Sequence, residues 1–253
     1  MKISVCMAVH NGANFIREQI ASILPQLGEN DELVIVDDAS VDDSVMIIES
    51  FSDQRIRVVR QNCNCGVVQT FGRALGEATG EIVFLCDQDD VWRAGKVQKF
   101  KDLFSRHSEV SLAVSDASII DMEGNITTHS FFTSRQFHTS LLLNLIRNCF
   151  LGCTMVFRRS LLMYCLPIPD DIPMHDMWIG MVNQLVGKTV FIAEPLMFYR
   201  RHNSNATAVG HASFLQMVRW RYALAKNLAL LYLRKVAMKR SALCIFSHQI
   251  RPQ

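Results

Sequence analysis

Three apolar strand-like runs, each followed by an amphipathic helical run, and a fourth strand-like run ending in carboxylates constrain the fold of this chain more than any other feature. Ile3 to Val9 is short and apolar; Asn11-Gly12 breaks it, and a helical pattern runs from about Phe15 to Leu24, stopped near Pro25. The same order recurs in Glu32 to Val36 with Asp42 to Phe51, and in Ile56 to Val59 with Val67 to Ala78. Ile82 to Leu85 then runs into Asp87-Gln88-Asp89-Asp90. Strands that are apolar along their whole length are buried on both faces, so the pattern predicts an α/β, doubly wound, mostly parallel sheet with right-handed crossovers. Ligands of such sheets lie beyond the carboxyl ends of the strands. Asn11, the Asp37-Asp38 pair and the Asp87 to Asp90 turn all fall at such ends and are expected to share one crevice.

The second half is less regular. Strands are expected at Leu112 to Val114, Thr154 to Phe157 and Thr189 to Ile192, and helices near Leu141 to Ile146 and Met177 to Leu185. No repeat or clear linker separates the two halves, so residues 1–110 and 111–210 read as parts of one domain, with a helical tail over 211–253.

The acidic turn sets the chemistry. Three carboxylates within four residues, delivered by a buried strand, repel one another unless a cation sits among them. A hard divalent ion, magnesium or manganese, takes carboxylate oxygens and completes its shell with diphosphate oxygens and water. A lone Asp-x-Asp is more often a solvated loop in which the last acid, here Asp90, caps the next helix. That reading leaves Asp37 and Asp38, at the neighbouring strand end, without a reason. Other nucleotide chemistries lack their signatures: neither a Gly-x-x-x-x-Gly-Lys-Ser/Thr loop nor a Gly-x-Gly-x-x-Gly turn follows the first strand.

Composition narrows the setting. With 253 residues and 49% hydrophobic content the chain can bury a core of its own, so of its eight cysteines Cys6, Cys86 and Cys153, in apolar strand-like contexts, read as reduced core residues; Cys63-Asn64-Cys65 lacks zinc-site spacing. The net charge of +2 hides an asymmetry, since every acid lies at or before Glu194, leaving about −8 on residues 1–194 and +10 on the remainder. Met1 to Val5 enter a strand with no secretory pattern, and charges such as Arg147, Lys226 and Arg234-Lys235 interrupt each apolar run before the ~20 residues of a membrane span. A cytoplasmic protein is expected, with no nucleic-acid partner.

Several motifs, in order, resemble the family 2 glycosyltransferases: Ser4-Val5-Cys6-Met7-Ala8-Val9-His10-Asn11-Gly12, Val36-Asp37-Asp38-Ala39-Ser40, and the run from Asp87 to Trp92. Gly152-Cys153-Thr154-Met155-Val156-Phe157, His175-Asp176-Met177-Trp178 and Tyr199-Arg200-Arg201-His202-Asn203-Ser204-Asn205 follow, so the likeness spans roughly residues 2–210. The resemblance implies the A-type glycosyltransferase fold, with the nucleotide in the first half and the acceptor in the second. It places Val9, Asn11, Asp38, Arg73 and Asp87 at the nucleotide, with Asp38 on the base and Arg73 reaching the diphosphate. Asp89 would be the main ligand of Mn2+ or Mg2+, supported by Asp87 and His202. Asp176 matches the catalytic base: an inverting transfer needs a carboxylate beside the acceptor hydroxyl, opposite the departing nucleotide. Trp92, Gly152 and Trp178 would meet the sugars.

From Phe214 to Met238, apolar residues alternate with Arg219, Arg221, Lys226, Arg234 and Lys235 and no acid, a pattern suited to a helix lying on an anionic membrane. Gln216-Met217-Val218-Arg219-Trp220 matches the Gln-x-x-Arg-Trp motif of processive polysaccharide synthases, which adds Arg219 and Trp220 to the acceptor candidates; the missing spanning helices favour a single addition. The resemblance is to bacterial O-antigen and other surface-polysaccharide enzymes. It implies transfer of one hexose, from UDP-glucose before UDP-galactose, to a lipid-diphosphate-linked sugar such as N-acetylglucosamine-diphospho-undecaprenol at the cytoplasmic face of the inner membrane, with a β-linkage. The alternatives are a dTDP-rhamnose rhamnosyltransferase of the same pathway and an inactive regulator that binds a nucleotide sugar.

Overall fold

The structure, a computed structural model, describes residues 1–134, 138–202 and 213–249. Its strands are β1 (Ile3–Val9), β2 (Glu32–Asp37), β3 (Ile56–Arg60), β4 (Ile82–Cys86), β5 (Val91–Trp92), β6 (Val110–Ile120), β7 (Ile126–Thr128), β8 (Met155–Arg158) and β9 (Lys188–Arg200). The α-helices are α1 (Ile16–Ile23), α2 (Ser44–Glu49), α3 (Val67–Glu77), α4 (Lys96–Arg106), α5 (Phe131–Ser134), α6 (Leu141–Ile146), α7 (Leu162–Cys165), α8 (His175–Val186) and α9 (Phe214–Gln249).

The strands form one sheet in the order β3-β2-β1-β4-β8-β6-β9-β5, with β7 paired to β6. The first four are mutually parallel, as their strand–helix alternation requires. Beyond them β8 runs antiparallel to β4 and β6, while β6 and β9 are parallel. Alternate side chains of each strand enter opposite layers. Ile3, Val5, Met7 and Val9 of β1 and Ile82, Phe84 and Cys86 of β4 pack with Ile16 and Ile20 of α1 and Phe100 and Phe104 of α4. Cys6, Val83 and Leu85 pack on the other face with Phe71 and Leu75 of α3, Ile179 of α8 and Leu224 and Leu228 of α9. Two-sided burial is why these strands show no polar alternation in the sequence.

The turn carrying the carboxylates also shapes the sheet. β4 and β5 are fourth and eighth along the path, yet only Asp87 to Asp90 lie between them. Four residues span at most about 14 Å. The sheet therefore curls until β5 pairs antiparallel with Met197 and Phe198 of β9, and the acidic turn bridges the curl. The fold is that of the A-type glycosyltransferases, with a helix at its C-terminal end.

Two expectations are corrected. Asp90 caps no helix: β5 follows it, and α4 starts only at Lys96, behind Gly95 in the left-handed region. β6 and β9 also extend well past Leu112 to Val114 and Thr189 to Ile192, because their pairing slips register around Ser115, Asp116 and Ser118, and these polar residues hide the strand in the sequence. Asp116 is buried there with Oδ1 accepting from the Ala117 and Phe132 amides. Asn203, Ser204, Asn205 and the expected start of the tail lie outside the described residues, whereas α9 covers the greater part of that tail. No described helix is long and apolar enough to cross a membrane.

Candidate active site

The ends of β1, β2 and β4 converge, as expected, on one cleft of about 320 Å³. One wall is made of Ala8, Val9, His10, Asp38, Asn64, Gly66, Val67 and Thr70, the floor of Asp87, Gln88 and Asp89, and the far wall of Leu151, Gly152, Met174, His175, Asp176 and Tyr199.

Asp38 ties the first wall together. Its Oδ1 accepts from the Cys65 amide at 2.7 Å and Gln61 Nε2 at 2.8 Å, and its Oδ2 accepts from the Gly66 amide at 2.9 Å. A carboxylate offers about four lone-pair sites. The three donors leave capacity for one more, such as a nucleobase N–H. Gly66, at φ 83° in the left-handed region, lets both consecutive amides turn to this carboxylate. Asn11, with φ 50°, locks the β1 loop against the β2 loop: its amide donates to Ser40 Oγ and its Oδ1 accepts from the Val41 amide, each at 2.9 Å. It supports the wall without lining it. Gln88 clamps the same loop through the His10 amide at 2.8 Å and carbonyl at 3.1 Å. Gly12 permits this, since a Cβ there would lie 2.5 Å from Gln88 Oε1.

Negative charge gathers at the floor. Burial, then the charges of Asp89 and Asp176, push the Asp87 carboxyl from its ordinary 3.8 up to about 7. Burial and its two acidic neighbours hold Asp90 well above the ordinary carboxylate range. Asp89 is buried with Oδ2 2.8 Å from His202 Nε2, and His202 stacks on Phe15 with ring centres 4.9 Å apart. Asp87 and Asp90 approach the Cys153 sulfur, with ligand atoms within 4.8 Å of one another. Burial holds the Cys153 thiol well above its ordinary value, so it stays protonated and offers little to a hard cation. Asp87 and Asp89, with His202 held against Asp89, offer the donor types that magnesium or manganese takes, and such an ion would favour the charged form of Asp87 against the burial and neighbouring charges that raise it.

On the far wall Asp176 stands in the first turn of α8, and its Oδ2 accepts from the Gly152 amide at 3.2 Å. A Cβ on Gly152 would lie 3.4 Å from Asp176 Cβ and 3.1 Å from His175 Nε2, so the glycine allows the β8 approach and α8 to meet closely.

Several expected contributors lie elsewhere. Trp92 is 3% exposed and packs between Phe84, at 5.3 Å between ring centres, and the Lys96 ammonium, 4.2 Å from its ring. Trp178 is equally buried, with Nε1 donating to the Cys165 carbonyl at 2.9 Å. Both serve packing; neither lines the cleft. Arg73 is exposed and pairs with Glu77 one turn on at 2.9 Å instead of reaching towards the diphosphate site. Arg219 and Trp220, on α9, are also absent from the lining.

Two buried cations were not singled out in the sequence. Arg200 donates through Nε to the Asp89 carbonyl at 2.9 Å and through an Nη to Glu18 at 2.6 Å, while its amide donates to Asp90 Oδ1 at 3.0 Å, so it fixes the acidic turn. Lys96, fully buried beneath the turn, donates to the Cys153 carbonyl at 3.1 Å, and burial brings its ammonium down to about 8. The motif run through Tyr199-Arg200-Arg201-His202 marked Arg200's neighbourhood; nothing local marked Lys96.

A curled α/β sheet that brings carboxylates from separate strand ends to one cleft is the architecture of the A-type glycosyltransferase fold. The chain belongs to glycosyl transferase family 2, whose family model matches residues 4–165. Among curated proteins it is similar to an uncharacterized glycosyltransferase of Nostoc sp., with 30% identity over 81% of this chain and 66% of that one. It is also similar to an Escherichia coli protein named UDP-Glc:alpha-D-GlcNAc-diphosphoundecaprenol beta-1,3-glucosyltransferase WfgD, 29% identical over 63% of this chain and 61% of that one. Among solved structures, Staphylococcus aureus TarS in complex with UDP-GlcNAc superposes with a TM-score of 0.71 at 20% identity, covering 91% of this chain and 66% of that one. The chain spans about 61–66% of the length of the first curated relatives it matches.

Proposed function

We propose that this chain transfers a single hexose, with inversion, from a nucleoside-diphosphate sugar to a lipid-diphosphate-linked sugar, with UDP-glucose the favoured donor. The observation that carries the reading is that the Asp176 carboxylate lines the same cleft as Asp38 and Asp87–Asp89. Residues 1–110 would hold the nucleotide, with Asp38 taking the base and Val9 lining its seat, and residues 111–210 the acceptor. The name of the Escherichia coli relative supports a glucosyl donor and an N-acetylglucosamine acceptor. That of a Bacillus subtilis relative, putative teichuronic acid biosynthesis glycosyltransferase TuaG, 33% identical over 38% of this chain and 39% of that one, supports surface-polysaccharide assembly.

In this mechanism Asp176 accepts the proton of the acceptor hydroxyl as its oxygen attacks the anomeric carbon, and the bond from that carbon to the diphosphate breaks on the opposite side. The Gly152 amide orients the Asp176 carboxylate. Asp89, Asp87 and His202 would hold Mn2+ or Mg2+, which supplies Lewis-acid stabilisation of the charge on the leaving diphosphate. Arg200 holds the backbone of that turn in place.

Residues 211–253 would rest on the membrane that carries the acceptor. On α9, Phe214, Leu215, Val218 and Tyr222 face solvent at 49–74% exposure, whereas Leu224 and Leu228 are packed. Arg221 donates to the Ile146 carbonyl at 2.7 Å, which places the exposed Leu142 and Ile146 of α6 beside them. Apolar residues interleaved with arginines suit an anionic bilayer. A donor panel of UDP-glucose, UDP-galactose and dTDP-rhamnose with a synthetic lipid-diphosphate N-acetylglucosamine, read by mass spectrometry and anomeric coupling, tests the whole reading. It predicts a β-linked hexose product with Mn2+ or Mg2+ present. Donor consumption that releases inorganic diphosphate instead of nucleoside diphosphate would place the enzyme among nucleotidyltransferases.

A further inference from the structure

His175, beside the proposed base, has a burial and bonding state that packing alone does not account for. It opens α8, lines the cleft, is 3% exposed, and among the described residues neither of its ring nitrogens has a hydrogen-bond partner. Leaving a buried polar group unsatisfied costs about 1–3 kcal/mol, so buried side chains without partners are rare and call for a reason. One face of the ring is fixed by Phe71, with centres 3.9 Å apart and planes 23° from parallel. Its Nε2 edge is turned towards Gly152, another lining residue, where a Cβ would come within 3.1 Å. The missing side chain thus lets that buried nitrogen sit against Gly152, a cleft-lining residue, next to Asp176.

Burial holds the imidazole down to about 3, so at neutral pH it is uncharged and presents one N–H donor and one acceptor. It does not compete with Asp176 for the acceptor proton. A neutral, rigid donor–acceptor pair on the wall carrying the base has the chemistry to recognise a sugar hydroxyl. We propose that His175 is a specificity-determining residue that hydrogen-bonds a hydroxyl of the acceptor sugar and aligns it for Asp176. The inference rests on the glycosyl-transfer reading given above. Its origin is local: an aromatic shelf, a glycine gap and a helix start combine to bury an imidazole with its nitrogens unsatisfied.

Two variants test it. His175→Phe keeps a flat ring on Phe71 and removes both nitrogens; His175→Gln restores a polar nitrogen near the Nε2 position. Transfer to the lipid-diphosphate N-acetylglucosamine is measured over acceptor concentration, alongside calorimetric UDP binding, which reports on the Asp38 side of the cleft. Expected for His175→Phe is a fall of about tenfold or more in kcat/KM for the acceptor, the effect of one lost hydrogen bond to a buried partner, with UDP affinity within twofold of wild type. His175→Gln should recover part of the loss, and acceptors deoxygenated at single positions should identify one hydroxyl whose removal costs the wild type but not His175→Phe. Equal kcat/KM in wild type and His175→Phe overturns the inference alone. A parallel loss of UDP affinity, or no deoxy acceptor that separates the two proteins, assigns His175 to packing and also overturns it. Failure of the wild type to glycosylate any acceptor overturns the functional reading, and the inference with it.

Discussion

Two helical glycines offer a test of how tightly packing positions the proposed base. Gly180 lies one turn after Asp176 on α8, and a Cβ there would stand 2.3 Å from Cδ2 and Cε2 of Phe150, which is 1% exposed. Carbon atoms settle at about 3.5–4.0 Å, so Gly180→Ala requires a retreat of roughly 1.2–1.7 Å. Overpacking a core in this way costs up to about 3 kcal/mol, while alanine gains roughly 1 kcal/mol of helix propensity over glycine. The expected net loss is about 2 kcal/mol, or a Tm lower by about 4–8 °C for a chain of this size. Gly76, on α3, has nothing among the described residues within 4 Å of its would-be Cβ. Gly76→Ala should therefore stabilise by about 0.5–1 kcal/mol. The consequence for chemistry follows from chain order: Phe150 leads directly into Leu151 and Gly152, so separating it from α8 stretches the 3.2 Å contact from the Gly152 amide to Asp176. A displacement of about 1 Å can cost about 10²-fold in rate. Denaturant melts and acceptor kinetics, with UDP affinity as a check on the other wall, decide the matter. A Gly180→Ala protein as stable and as active as Gly76→Ala would refute the reasoning.

Further outcomes can be checked alongside. Asp38→Ala removes the acceptor of two amides and the Gln61 side chain; calorimetry should show UDP binding weakened at least about tenfold, since bonds to a charged group contribute about 1.5–3 kcal/mol, and undiminished affinity contradicts the role. EDTA should abolish transfer and Mn2+ or Mg2+ restore it, and Asp89→Asn should raise the metal concentration for half-maximal activity at least about tenfold; unimpaired transfer in the chelator removes the metal assignment. Flotation with anionic liposomes should carry the protein upward at low salt and release it at high salt, as expected for a basic apolar helix face; substituting Phe214, Leu215 and Tyr222 by serine should abolish flotation, and retention of the triple variant would exclude this surface.

The parallel half of the sheet was legible because strands buried on two faces leave unbroken apolar runs. β1 to β4 lie close to where those runs stand, and Val9, Asp38, Asp87 and Asp89 reach one cleft as their strand ends require. Asp176, Gly152 and His202 were reached through motif order, since local pattern alone does not separate a base from a first-turn acid. What escaped the sequence depends on distant contacts. The Asn64–Gly66 loop joins the site only because Asp38 collects its amides. Lys96 and Arg200 carry charge, which local pattern assigns to the surface, yet the curl of the sheet buries both. Trp92 and Trp178 follow the acidic turn and the base in sequence, but strand and helix geometry turn each into the core.

The central claim is that Asp176 takes the acceptor proton in a sugar transfer whose nucleotide is held on the opposite wall. The measurement that meets it most directly compares wild type with Asp176→Asn for initial rates of glycosylation of the lipid-diphosphate acceptor, with UDP affinity determined on the same preparations. The account predicts a rate lower by about 10²–10⁴-fold with UDP affinity close to wild type. A variant that transfers sugar within a few-fold of the wild-type rate would contradict it.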